Sequence, residues 1–166
     1  ETGVAFNNHT IRMNPRVSIG GDTVRVRISN AYGNGNLAIG AAYVGIREKG
    51  PSIVPGSERK LTFGGVGSAT VAAGALVISD AVELEVKPLA DLAVSLYLPG
   101  EISTDFQITG RYARQTIYIS PPGDFAAEVT MPVGTITDEW FFVSGIDVLA
   151  RTEAGGVVAL GDSLTD

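Results

Sequence analysis

Residues 23–29, Thr-Val-Arg-Val-Arg-Ile-Ser, alternate apolar and polar side chains without a break. Successive side chains of an extended strand point to opposite faces, so this period puts Val24, Val26 and Ile28 on one face and Arg25 and Arg27 on the other. A helix cannot use such a pattern, because its apolar stripe recurs every three to four residues. The same period returns in Val82, Leu84 and Val86 against Glu83, Glu85 and Lys87. It returns again in Leu92, Val94, Leu96 and Leu98 against Ala93, Ser95 and Tyr97, and in Ile117 and Ile119 against Thr116 and Tyr118. Turn signals divide these runs: Gly20-Gly21-Asp22, Gly33-Asn34-Gly35, Pro55-Gly56-Ser57, Gly64-Gly65, Pro99-Gly100 and Pro121-Pro122-Gly123. Half-buried strands with turns between them, and no amphipathic helix before the C-terminus, predict an all-β fold: an antiparallel, jelly-roll-like β-sandwich.

The chain has 166 residues, enough for one domain with a real core and too few for two full ones. It is 45% hydrophobic and only 18% charged, which favours a packed core over disorder. The formal net charge is -6 and the basic residues are dispersed, so the basic patch that nucleic acid requires is missing. Arg25 and Arg27, and Arg111 and Arg114, read as solvated strand faces. The absence of cysteine excludes a disulfide framework, thiol catalysis and thiolate zinc. No run approaches the ~18 apolar residues of a membrane span. Glu1-Thr2-Gly3 carries neither a basic nor an apolar leader region, so a signal peptide is expected to be already removed or never present.

The pattern changes near the end. Residues 141–149 form a last apolar segment, and residues 150–155 are small and polar, as in a linker. Gly156-Val157-Val158-Ala159-Leu160 is then continuously apolar, which is how a strand buried on both faces of a parallel sheet reads. The expected organisation is a sandwich over residues 1–150, followed by linker and the opening strand of a second, α/β/α domain over 151–166. The rest of that domain is expected to lie beyond the chain.

Directly after the apolar run stands Gly161-Asp162-Ser163-Leu164-Thr165-Asp166. A buried strand, a tight glycine turn and a serine present a hydroxyl at the carboxyl end of a parallel strand, where crevices of open α/β sheets bind substrate. Backbone N–H groups at an incoming helix can hold an oxyanion there. The hydroxyl still needs a base, usually a carboxylate-oriented histidine. An Asp-Ser turn also serves as a plain helix cap.

The block Val157-Val158-Ala159-Leu160-Gly161-Asp162-Ser163-Leu164-Thr165-Asp166 resembles the first conserved block of the SGNH (GDSL-type) hydrolases, esterases and lipases whose Gly-Asp-Ser serine is the nucleophile. Arg16-Val17-Ser18-Ile19-Gly20-Gly21-Asp22, residues 24–33 (including Ser29-Asn30-Ala31-Tyr32-Gly33), Ile53-Val54-Pro55-Gly56-Ser57 and residues 89–100 are similar to the N-terminal region of two-domain members, in which a β-sandwich precedes the catalytic domain. The resemblance implies that Ser163 is the nucleophile and that its own N–H is one oxyanion donor. The family's remaining oxyanion donors, a Gly and an Asn, and its catalytic His and Asp belong to later blocks without counterparts here. His9, the single histidine, reads as a surface or strand-end residue. The chain alone is therefore expected to be inactive, its partners being a small-molecule or carbohydrate ester and the missing catalytic domain. The resemblance also implies a secreted or periplasmic protein.

Other patterns weigh less. Gly33-Asn34-Gly35-Asn36-Leu37-Ala38 matches a dinucleotide fingerprint formally, but residues 37–44 read as strand where that fingerprint needs a helix. Phe63-Gly64-Gly65-Val66-Gly67-Ser68 lacks the lysine of a phosphate loop and reads as a turn. No cofactor and no metal are expected, since no calcium-loop spacing occurs. Asn8-His9-Thr10 fits the N-glycosylation triplet. Trp140-Phe141-Phe142 reads as core, as an interface to the missing domain, or, if exposed, as the sugar platform of a carbohydrate-binding sandwich. Alternation puts Trp140 and Phe142 together and Phe141 opposite. A purely structural sandwich is the remaining reading. Arg111-Tyr112-Ala113-Arg114-Gln115 is polar enough to edge an active site.

Overall fold

The structure, a computed structural model, describes residues 5–103, 108–110, 114–150 and 154–155. Every regular element among them is a strand. The first five are β1 (Ala5–Met13), β2 (Gly21–Ser29), β3 (Leu37–Ile39), β4 (Ala41–Lys49) and β5 (Ser52–Ile53). Next come β6 (Arg59–Lys60), β7 (Ala69–Val71), β8 (Leu76–Ile78), β9 (Val82–Val86) and β10 (Leu92–Ser103). The last are β11 (Ile108–Gly110), β12 (Ile117–Pro122), β13 (Thr135–Thr137), β14 (Trp140–Phe141) and β15 (Val143–Leu149).

They build an antiparallel β-sandwich. One sheet runs β13-β12-β1-β10-β4-β5, with β6 also on β4; the other runs β15-β2-β8, with β9 on the same edge of β2. Two short ribbons, β3–β7 and β11–β14, complete it. The predicted alternation holds: Val24, Val26 and Ile28 are buried, as are Leu92, Val94, Leu96 and Leu98, Leu84 and Val86, and Ile117 and Ile119. These side chains form one core between the sheets. Each fully buried Val, Leu or Ile contributes about 1.5–3 kcal/mol, and the sandwich exists because period-two faces have nowhere else to bury.

Three sequence expectations are corrected. Pro99-Gly100 is not a turn but lies within β10, at a bulge: Asn7 faces Glu101 and His9 faces Leu98, so β10 carries an extra residue there. A bulge tolerates a proline because the ladder hydrogen bond is already broken. On the partner strand, Asn8 adopts φ 57°, a left-handed conformation that asparagine accepts more readily than most residues. This shifts the alternation of β1, so that Phe6, Ile11 and Met13 all reach the core despite their odd spacing. Second, Gly21 and Asp22 open β2 instead of ending a turn. Gly21 lies so close to β15 that a Cβ would sit 2.1 Å from the Leu149 carbonyl oxygen. Third, Phe141 and Phe142 are both buried instead of facing opposite ways, because Phe142 takes φ 55° between β14 and β15. Phe6 meets Phe141 edge-on at 5.0 Å and Phe142 at 6.2 Å.

The outer face of the larger sheet is also partly covered. Residues 123–131 cross it as a strap, which explains why the outward-facing Thr10, Arg12, Ser95 and Ser120 are buried. The Thr10 hydroxyl donates to the Gly123 carbonyl and accepts from the Phe125 N–H, both at 2.9 Å. Ile53 N–H donates to the Val129 carbonyl at 2.9 Å, so the strap is tied at both ends.

Candidate functional site

Ser163, the predicted nucleophile, and the rest of 156–166, on which the expected opening strand of a second domain falls, lie outside the described residues. What the structure describes is the way toward them. β15 is held along β2, Leu149 opposite Thr23. Beyond it, Ala150, Ala154 and Gly155 line a groove of about 500 Å³ together with Ile19, Gly20, Val86 and Pro88. Gly20 keeps this wall tight, since a Cβ there would meet Pro88 Cδ at 2.7 Å. The groove mixes apolar walls with the polar Ser18, Glu85 and Lys87.

His9 is half-buried within β1 and not at a strand end; its Nδ1 accepts the Asn7 N–H at 2.9 Å. The glycosylation triplet is built into the same strand. Asn8 accepts a hydrogen bond from the Tyr97 hydroxyl at 2.7 Å, and Thr10 is committed to the strap. Trp140 is half-buried and its Nε1–H donates to the Val143 carbonyl at 2.5 Å. With both phenylalanines beside it in the core, the cluster packs the sandwich and offers no exposed aromatic platform. Of the segment 111–115, residues 111–113 lie outside the described residues, and Arg114 is exposed.

The two glycine-rich loops resolve as structural devices. After Gly33-Asn34-Gly35 the chain enters strands β3 and β4, as its pattern predicts. Gly64 and Gly65 both have positive φ, and their N–H groups converge on the Asp80 carboxylate at 3.1 and 2.7 Å. Consecutive N–H groups of this kind make an anion-binding nest, here filled from within the chain. The Thr62 hydroxyl adds a bond of 2.6 Å, and it is the main reason the Asp80 carboxyl ionises below its ordinary range, with the glycine N–H groups next.

Sequence reasoning missed Arg12. It is fully buried, yet every arm of its guanidinium is held. Nε donates to Ser95 Oγ at 2.7 Å, Nη2 to the Glu128 carbonyl at 2.6 Å, and Nη1 to the carbonyls of Pro51 and Val129. Burial lowers its pKa to about 10, with the Glu128 charge acting in the opposite direction. It therefore stays charged at neutral pH and pins the strap to the sheet. Alternation alone marks it as an outward polar residue, and nothing in the local sequence signals the strap 116 residues away.

Arg25 and Arg27 are exposed, as predicted, and both reach Asp147 across the β2–β15 pair. No group of three or more His, Asp or Glu side chains among the described residues is placed to hold a metal ion. No helix among them is long and apolar enough to cross a membrane. No family model matches the chain, and no curated protein matches it.

Proposed function

We propose that the chain is the β-sandwich N-terminal portion of an SGNH-type serine ester hydrolase, with Ser163 as its nucleophile. The observation that carries this reading is the block Gly161-Asp162-Ser163-Leu164 directly behind the apolar run Val157-Val158-Ala159-Leu160. The sandwich supports it in one respect. Among the described residues its core is built between its own sheets, and its last strand, β15, ends at Leu149, ahead of the expected linker.

In the complete enzyme the Ser163 hydroxyl attacks an ester carbonyl while a histidine takes its proton. The alcohol leaves, and water then hydrolyses the acyl-enzyme. The base, its carboxylate partner and most of the oxyanion hole come from the later blocks. The substrate is a small-molecule or carbohydrate ester, and the enzyme works outside the cytoplasm.

The test is hydrolysis of 4-nitrophenyl acetate by this chain and by a longer polypeptide carrying the later blocks, each beside its Ser163→Ala variant. The short chain should show no turnover above background. The longer one should be active and lose at least ~10³-fold on substitution, the usual scale for removing a catalytic-triad member. A longer polypeptide whose Ser163→Ala variant keeps full activity would refute the assignment.

A further inference from the structure

Strand register gathers aromatic side chains on the outer face of the larger sheet. Across β12, β1, β10 and β4, Tyr118 faces Arg12, Arg12 faces Ser95, and Ser95 faces Tyr43; β6 adds Lys60 opposite Tyr43. Two residues along, Thr10 faces Tyr97 and Tyr97 faces Ala41. All of these point away from the core, because their neighbours Ile11, Leu96, Ala42 and Val44 fill it. The strap takes the β1 column, leaving Tyr43 and Tyr97 half-exposed beside it. They are diagonal neighbours on adjacent strands, with Cα atoms about 7–8 Å apart.

Tyr97 is held in place from two sides. Its ring edge lies against Gly40, where a Cβ would sit 2.6 Å from Cδ1. Its hydroxyl is fixed to Asn8 Oδ1, on β1 opposite the β10 bulge. A glycine and a left-handed asparagine thus serve to set one surface ring. A ring already ordered loses little freedom on binding, and a tyrosine offers an apolar face with a polar tip. The Lys60 ammonium is exposed at one border of the pair and the Asn8 amide at the other, while the Tyr43 hydroxyl bonds to no described residue. Flat aromatic faces suit the C–H face of a pyranose, and hydrogen-bonding groups at the border suit its hydroxyls.

We propose that Tyr43 and Tyr97, with Asn8 and Lys60 at their border, form a binding platform for a neutral polysaccharide. A neutral polymer is favoured over an acidic one, because the net charge of -6 repels a polyanion. The proposal stands apart from the ester-hydrolase reading and needs no catalysis.

Affinity electrophoresis in native gels containing hydroxyethyl cellulose or xylan tests it, with polygalacturonate as the acidic control. At least one neutral polymer should retard the chain and the control should not. Retardation should weaken about tenfold in Tyr97→Ala, vanish in the Tyr43→Ala, Tyr97→Ala pair, and persist in Tyr118→Ala across the strap. A Tyr43→Leu, Tyr97→Leu pair keeps apolar bulk but not the aromatic faces, and it should also lose binding while circular dichroism shows the native fold. Failure of both neutral polymers to retard the parent would overturn the platform, as would undiminished retardation of the folded leucine pair.

Discussion

Asn30 shapes two loops at once. Its Nδ2 donates to the Gly35 carbonyl at 2.9 Å and to the Val71 carbonyl at 2.8 Å, while its backbone carbonyl accepts from the N–H groups of Gly33 and Gly74. Gly33 lies directly under the amide: a Cβ there would sit 1.9 Å from Asn30 Oδ1. The asparagine is buried, so it has no room to move aside. Gly33→Ala should therefore cost about 1–3 kcal/mol, as overpacking commonly does. Gly35→Ala, with nothing within 4 Å of the new methyl, should change stability little. Urea unfolding of both variants checks the contrast. Part of the stretch that carries the family resemblance, Ser29-Asn30-Ala31-Tyr32-Gly33, thus has a local structural reason of its own.

At the scale of elements, Arg12 is the buried side chain that clamps the strap over residues 123–131 between its two tied ends. Replacing Arg12 by Met removes the charge and all four donated bonds; the Val129 and Pro51 carbonyls keep the N–H groups of Ile53 and Met131, while the Glu128 carbonyl and Ser95 Oγ lose the Arg12 partner. Each buried polar group left unpaired costs about 1–3 kcal/mol. Arg12→Met should lower stability by at least about 2 kcal/mol and open the strap, so limited proteolysis should cut between residues 123 and 131 first. Cleavage elsewhere at the parent's rate would contradict this. The strands that the sequence made legible, β2, β9, β10 and β12, are those whose alternation runs on one core-facing side. β1 was hidden because the left-handed Asn8 puts Phe6 out of step with Ile11 and Met13. Phe142 was misplaced for a related reason, a left-handed residue where alternation assumes an extended one. Arg12 was invisible because its partners come from a distant segment. Of the candidate sites, Ser163 was legible only as a short string, whereas Tyr43 and Tyr97 become neighbours only through the β4–β10 register.

For the whole molecule, closure depends on pairing the start of the chain with its end. β1 is joined to β10 and β12, and β2 to β15, through Val143 opposite Ile28 and Leu149 opposite Thr23. A chain cut after Gly155 should keep the melting temperature of the full sequence, because it retains every described strand. A chain cut after Phe142 loses β15 and with it one edge of the smaller sheet, and it should melt far lower or not fold. Thermal unfolding followed by circular dichroism distinguishes the two, and equal melting of both would show that β15 is dispensable. The same pairing sets a schedule during synthesis. At ~5–20 residues per second, β2 leaves the ribosome on the order of ten seconds before its partner β15 exists. Through that interval the edge of β2 that β15 will pair with has no native partner, a state that invites chaperones or pairing with another nascent chain. Ser163 lies 14 residues beyond Leu149, so the proposed nucleophile is translated roughly one to three seconds after the last described strand of the sandwich.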